Sequence, residues 1–323
     1  MGSDTIARLL RGEIESAGSI SFERFMEVAL YTPGLGYYRR ERDPFGKHGD
    51  FFTAEQVQPV FGLLVAQALR QLREAMGDPP SFRVVELGAG RREMAEQLSE
   101  FDYTGVEIGD ELPSSITGVV FANEFFDALP VHAAIRRGDE FRQMRVGPDD
   151  SRFAFVEGEA VEGYVEDYLV RYHRNAPEGS IVEVNVRALD WIRRLAAAVD
   201  RGYAIIIDYG YTAREWIRHQ QGTLMSYSRH RSSDDVLSVP GECDITAYVA
   251  WTPLEDAAVA AGWAVERFET LAAFLLHAGA KDNFESAIAD RNEREALRRR
   301  LQLKTLLFGM GETFRVLLLR KDA

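Results

Sequence analysis

Between Arg83 and Phe126 the chain passes through three short apolar runs, "RVVEL", "YTGVEI" and "GVVFANEFF", with "REMAEQLSEF" reading as a helix between the first two. Strand, helix and strand in such short succession call for a right-handed crossover in a parallel sheet. That single inference constrains the fold most, because a parallel sheet gathers its binding crevice at the carboxyl ends of its strands.

The remaining segments fit around such a sheet. "VQPVFGLLVAQALRQLREAMG" carries apolar residues at three- and four-residue spacing and stops at Gly77 and the Pro79-Pro80 pair, as an amphipathic helix does. "RALDWIRRLAAAVDRG" reads as a helix feeding the buried strand "YAIIIDYG", "PLEDAAVAAGW" as another helix, and "FRVLLLRK" as a last strand. "HAAIRRGDEFRQMRVG" and "RFAFVEG" alternate and turn at Gly138-Asp139, the pattern of an antiparallel hairpin with a neighbour. The expected organisation is a helical region over residues 1–80 and a core over 81–323, with inserted segments at about 131–180 and 211–252.

The first strand runs into "VVELGAGRREM". Glu86 stands at its end, and Gly88 and Gly90 form a turn whose backbone N–H groups face the binding edge of the sheet. Glu107 ends the second strand about twenty residues later, where a carboxylate can accept hydrogen bonds from both hydroxyls of a ribose. An adenosine-type cofactor follows. No Lys-Ser or Lys-Thr pair succeeds the glycines, so this is not a P-loop. Arg92 occupies the place of a third glycine; a nicotinamide dinucleotide remains possible, but S-adenosylmethionine has no pyrophosphate and needs only the shorter Gly-x-Gly turn.

Charge narrows the partners. With 38 basic and 51 acidic residues the formal charge is -13, a field that repels nucleic acid and anionic membranes. Arg298, Arg299 and Arg300 follow acidic residues at helical spacing and read as a solvated helix face. Cys243 is the only cysteine, which leaves no intramolecular disulfide and no multi-cysteine metal site; no metal is expected. The apolar runs are too short to span a bilayer, no targeting signal is read, and a cytoplasmic location is expected.

Taken together, "ISFERFMEVALYTPGLGYY", "GKHGDFFTAEQVQPVFG", "VVELGAGR", "FANEFFDALPVH", "AIIIDYGY", "GTLMSYSRH", "PGECDITAYV" and "LLFGMGETFRVLLL" resemble, in this order, the MidA family of S-adenosylmethionine-dependent methyltransferases. Mitochondrial members of that family act in respiratory complex I assembly and methylate an arginine of one of its subunits. The resemblance covers about residues 14–320. It implies an α/β fold, a Rossmann-like seven-stranded class I methyltransferase sheet with an N-terminal helical region and a late inserted lid subdomain, and S-adenosyl-L-methionine as cofactor.

Carried over residue by residue, the resemblance puts Glu86, Gly88 and Gly90 on the cofactor turn, Glu107 on the ribose, and Gly49, Asp50 and Thr53 in an N-terminal loop that closes over the cofactor. Asn123, Glu124 and Asp127 fall where methyltransferases hold the acceptor nitrogen, with Asn123 also facing the cofactor. Glu124 and Asp127, three positions apart, can fork around a guanidinium, which stays charged at neutral pH and must be oriented by carboxylates. His230 is a candidate proton acceptor. Asp208 is read either as a contact at the sheet rim or as a strand-end acceptor of backbone N–H groups, and Tyr37 and Tyr38 either stack on substrate or pack the first helices.

Two departures bear on activity: Arg92 replaces the family's glycine, and only "IGDELPSSIT" separates Glu107 from the next strand, where relatives carry a further helix and strand. The expected function is methyl transfer to a protein arginine. The alternatives are a non-catalytic assembly factor that keeps the fold and a small-molecule methyltransferase.

Overall fold

The parallel sheet read from the sequence forms the centre of one of two units into which the chain divides. In the computed structural model, which describes residues 2–40, 58–150, 152–228 and 231–322, this unit comprises Thr53–Phe126, Trp191–Gly210 and Leu254–Ala323. Its strands are β1 (Arg83–Leu87), β2 (Asp102–Val106), β3 (Ile116–Asn123), β4 (Val199–Tyr211), β5 (Ala264–Thr270) and β6 (Phe314–Lys321), in the order β5-β6-β4-β3-β1-β2. The four from β2 to β4 in that order run parallel, and β6 is antiparallel to both of its neighbours. A seventh, two-residue strand, Val249–Ala250, is paired off this path, so the sheet has the expected seven strands. The segment after Glu107 adds none beyond β2, which stays at the edge of the sheet.

Register aligns the polar strand ends. Glu86 lies opposite Gly105 of β2 and Phe121 of β3, and Asn123 lies opposite Ile207 of β4. Val84, Val119, Phe121, Ile205, Val316 and Leu318 join the core with Leu64 and Leu69 of the helix Val60–Ala75. Each fully buried side chain of this size contributes about 1.5–3 kcal/mol. At Gly118 the strands approach so closely that a Cβ would stand 2.0 Å from the Arg83 carbonyl oxygen.

"REMAEQLSEF" differs from expectation: it is a succession of turns, not a helix. Arg92 donates its N–H to the Ala89 carbonyl at 2.6 Å, and Ala95 donates to Arg92 at 3.0 Å. The physical reason is the backbone of Arg92, whose φ of +57° lies in the left-handed region, incompatible with a right-handed helix. Met94 and Leu98 are nonetheless buried in the core.

The other unit gathers Met1–Phe52, Asp127–Asp190 and Tyr211–Pro253. Its five-stranded sheet is antiparallel: Ile20–Ser21, Glu140–Asp149, His132–Arg137 and Ile181–Val184 follow one another, and Arg152–Ala160 pairs with Glu140–Asp149. The hairpin turns at Gly138-Asp139 as read, with Arg137 opposite Glu140. A three-stranded sheet sets Met225–Ser228 between Arg231–Ser233 and Asp244–Thr246. The helix Phe22–Tyr31 is capped by Ser21, whose hydroxyl accepts from the Arg24 N–H at 3.1 Å. Phe22, Phe25 and Met26 bury its apolar face among Val146, Cys243 and Ile245.

Candidate active site

The polar ends of β1, β2 and β3 set the chemistry of the parallel unit. Glu86 is buried (1% exposed), and the Tyr103 hydroxyl of β2 donates to its Oε2. Beyond it, Gly88 (φ +67°) and Gly90 (φ +48°) turn the chain through conformations that only glycine adopts freely. The Gly88 N–H donates to the Val106 carbonyl at 2.8 Å, tying the turn to β2. Space is limiting too: a Cβ on Gly88 would meet Phe125 Cδ2 at 2.9 Å.

Glu107 closes this turn. Its Oε1 accepts the Gly90 N–H at 2.7 Å, while its own N–H donates to Asp110 Oδ2 at 2.9 Å. The carboxylate is thus fixed beside the glycines by backbone groups, and it is only half-buried.

At the end of β3, Asn123 is 5% exposed. Its Nδ2 donates to Glu124 Oε1 at 3.3 Å, whereas its Oδ1 has no hydrogen-bond partner among the described residues. A buried amide oxygen without a partner is costly unless a ligand donor satisfies it. Glu124 has φ +50° and donates its N–H to Ile207 O at 3.0 Å, and no helix follows it. The two carboxyl oxygens of Asp208, which is fully buried, accept the N–H groups of Phe126 (3.1 Å) and Tyr209 (2.9 Å). Of the two readings of Asp208, the structure shows the acceptor of backbone N–H groups. Phe125 packs edge-on to Trp191, ring centroids 5.1 Å apart.

The structure therefore brings Glu86, Gly88, Gly90 and Glu107 to one corner of the sheet and joins Asn123 to Glu124. Asp127 belongs to the antiparallel unit, where its main-chain oxygen accepts the Ala247 N–H at 2.9 Å. Gly49, Asp50, Thr53 and His230 lie outside the described residues. Tyr103, which the sequence reading passed over, holds Glu86; its period-two placement on β2 was the available signal. Arg92 is exposed.

A nucleoside cofactor fits these groups, since a carboxylate, glycine N–H groups and a buried amide acceptor converge from neighbouring strands. Comparison with known proteins decides which cofactor. Residues 97–269 match the family described as "Putative S-adenosyl-L-methionine-dependent methyltransferase". The chain belongs to this family. The crystal structure of a "likely methyl transferase from Burkholderia thailandensis bound to S-adenosyl-homocysteine" superposes with a TM-score of 0.89 at 31% identity, covering 100% of this chain and 94% of that one.

Among curated proteins, the chain is 26% identical to the mitochondrial protein arginine methyltransferase NDUFAF7 homolog of Drosophila melanogaster, over 77% of this chain and 68% of that protein. It is 28% identical to the mitochondrial protein arginine methyltransferase NDUFAF7 of Xenopus tropicalis, over 73% of this chain and 67% of that protein. The MidA resemblance is borne out, and the methyltransferase cofactor is S-adenosyl-L-methionine. The cytoplasmic expectation is overturned, because these relatives are mitochondrial proteins. It rested on finding no targeting signal, and such a lack does not fix a compartment. Among the described residues no helix is long and apolar enough to cross a membrane.

Proposed function

We propose that this methyltransferase acts on an arginine side chain of a protein. The observation that carries the reading is the pair of relatives named protein arginine methyltransferase, each aligned over about three quarters of this chain. When bound, S-adenosylmethionine supplies an electrophilic methyl group on sulfur, so what remains for the protein is alignment of an in-line displacement.

Glu107 would hold the ribose hydroxyls with the carboxylate that the Gly90 N–H already orients. The buried Oδ1 of Asn123 would accept from the cofactor's ammonium group. Gly88 and Gly90 would let the backbone approach, and Glu86 would act from beneath the turn. Glu124 and Asp127 would orient the guanidinium and share its protons. Gly49, Asp50 and Thr53 would close over the cofactor from the 1–80 region, which serves as its cover, and His230 would take the departing proton; the core would be 81–323 with its two inserted segments.

The experiment is transfer of radiolabelled methyl groups from the cofactor into an extract of a strain lacking the gene, followed by mass spectrometry of the labelled residue. Label on an arginine of a protein is the expected result. Label on lysine, on a carboxyl group or on a small metabolite overturns the arginine reading and leaves the methyltransferase standing. Cofactor binding without any label would favour the assembly-factor alternative.

A further inference from the structure

The helix Glu293–Thr305 of the parallel unit turns large apolar residues outward. Asn292 caps it, its side chain accepting the Arg294 N–H at 3.0 Å. Its inner side is anchored: Leu303 packs against the core, Gln302 Nε2 donates to the Gln58 carbonyl at 2.6 Å, and Arg299 is held by Asp290 at 2.9 Å. The outer side of such a helix is ordinarily polar. Here Leu297 is 56% exposed and Leu301 58%, and Phe308, in the wider turn Leu306–Met310 that continues the helix, is 76% exposed. Spacings of four and seven residues put the three on one stripe, about 16 Å long at 1.5 Å per residue.

Cations flank the stripe. Arg294, Arg300 and Lys304 lie within about 60° of Leu297 around the helix axis. They are exposed and form no ion pair among the described residues. Arg298, farther round, is paired with Glu295 at 3.3 Å, and Glu293 in the first turn is a carboxylate on the same side. The helix carries five cations and two carboxylates in a chain whose formal charge is -13. That net charge sets the field at long range, but screening leaves a reach of about 8 Å at physiological ionic strength, so whatever touches this face responds to its own cations.

Charge and area select the partner. A second copy of the chain fits poorly: a two-fold pairing of this face would set cations against cations, and two leucines and a phenylalanine fall short of the roughly 800 Å² that each side of a stable protein interface buries. An anionic lipid surface conforms to a single helix side and takes apolar side chains into the boundary between headgroups and acyl chains. Its phosphates lie where arginine and lysine heads arrive from stems laid along the apolar strip.

We propose that the outer face of residues 293–310, through Leu297, Leu301 and Phe308 with Arg294, Arg300 and Lys304, docks this protein on an anionic lipid surface. The helix lies along the interface without crossing it, in keeping with the lack, among the described residues, of any helix able to span a membrane. The inference goes beyond the arginine reading and does not rest on it.

The test is sedimentation of the full chain with vesicles of phosphatidylcholine containing about one third phosphatidylglycerol, and with vesicles of phosphatidylcholine alone. The chain should partition onto the anionic vesicles about tenfold or more strongly than onto the neutral ones, and added salt should weaken that binding. Leu301→Asp and Phe308→Asp each put a carboxylate where an apolar side chain meets lipid, and each should weaken partition about tenfold or more. Arg300→Gln combined with Lys304→Gln should weaken binding to anionic vesicles about tenfold and leave the weaker binding to neutral ones unchanged. That pair keeps the apolar strip intact, and it serves if the aspartate variants fail to fold. Affinity for S-adenosylhomocysteine should be that of the wild type in every variant, which separates loss of docking from loss of fold.

Failure of the wild type to sediment with anionic vesicles, equal partition onto the two kinds of vesicle, or unchanged partition in folded Leu301→Asp and Phe308→Asp overturns the proposal. So does a wild-type dimer in analytical ultracentrifugation that Phe308→Asp dissociates, without vesicle binding: that result puts a second copy on this face. Each of these outcomes leaves the arginine reading untouched, because none of them measures methyl transfer.

Discussion

The glycine corner of the parallel unit and the buried tyrosine–aspartate cluster of the antiparallel unit are built in opposite ways. In the first, short stretches of chain do most of the work: the Gly88 N–H donates to the Val106 carbonyl and the Gly90 N–H to the Glu107 carboxylate, at the ends of adjacent strands. In the second, Tyr38, Asp127 and Asp244 come from three separate segments, and the Tyr38–Asp244 bond spans 206 positions of sequence. Local construction leaves a signature in the order of residues, and assembly across segments does not. The corner should therefore answer to backbone substitutions and the cluster to side-chain chemistry.

The largest expected effect comes from the sheet beneath the corner. Gly118 has φ +149°, and a Cβ there would stand 2.0 Å from the Arg83 carbonyl oxygen, so backbone would have to move. Gly118→Ala should cost more than about 3 kcal/mol in denaturant unfolding. Gly138→Ala, at a hairpin turn of the other unit with nothing within 4 Å of the new Cβ but φ +56°, should cost about 1 kcal/mol. Similar costs would mean that close strand approach is not what the glycines serve.

The antiparallel unit carries its own sensitivity, to acid. His173 is buried (4% exposed), and burial lowers its pKa to about 4. The unfolded chain binds the proton near the ordinary value of about 6.5 and the folded chain only near 4, so the unfolded state holds more protons in between and stability falls as pH drops through that window. The loss should approach about 3 kcal/mol by pH 4. Urea unfolding of wild type and His173→Gln from pH 7 to pH 4 checks this: the variant should lose distinctly less. Parallel curves would show that His173 is not buried in its neutral form.

Cofactor binding separates the regions directly. Gly88→Val places a branched side chain at φ +67° and against Phe125, and S-adenosylhomocysteine affinity measured by calorimetry should fall by about a hundredfold or more. Some stability is lost as well, because a branched residue is strained in that conformation. Unchanged affinity in a folded Gly88→Val protein would remove the turn from the site.

These contrasts explain what was legible in the sequence. The strands "RVVEL" and "YAIIIDYG" were, because a buried parallel strand must be continuously apolar, and so was the hairpin at Gly138-Asp139, whose two flanks alternate. Glu107 could be placed because it ends the strand following the glycine turn. "REMAEQLSEF" misled, since its periodicity is that of a helix while the left-handed backbone of Arg92 is invisible to periodicity. Asp244 sat inside the quoted word "PGECDITAYV" with no role assigned: only folding brings it to the Tyr38 hydroxyl. Asp208 had two readings, and the two N–H groups it accepts distinguish them.

The smallest effect is expected at Arg92, and it probes the corner most finely. A residue with a side chain pays a steric penalty at φ +57° that glycine escapes, while glycine gives back part of the gain through the greater freedom of the unfolded chain. Arg92→Gly should therefore stabilise the protein by no more than about 1 kcal/mol in urea unfolding. The Arg92 side chain is exposed, and the groups offered to the cofactor at this turn are backbone N–H groups and Glu107, so affinity for S-adenosylhomocysteine should stay within about twofold of wild type. A tenfold gain in affinity would show that the arginine obstructs the turn, and that the family's third glycine matters for entry of the cofactor. A tenfold loss would show the opposite: that the cation itself contacts the cofactor, and that side-chain chemistry governs the corner as it does the cluster.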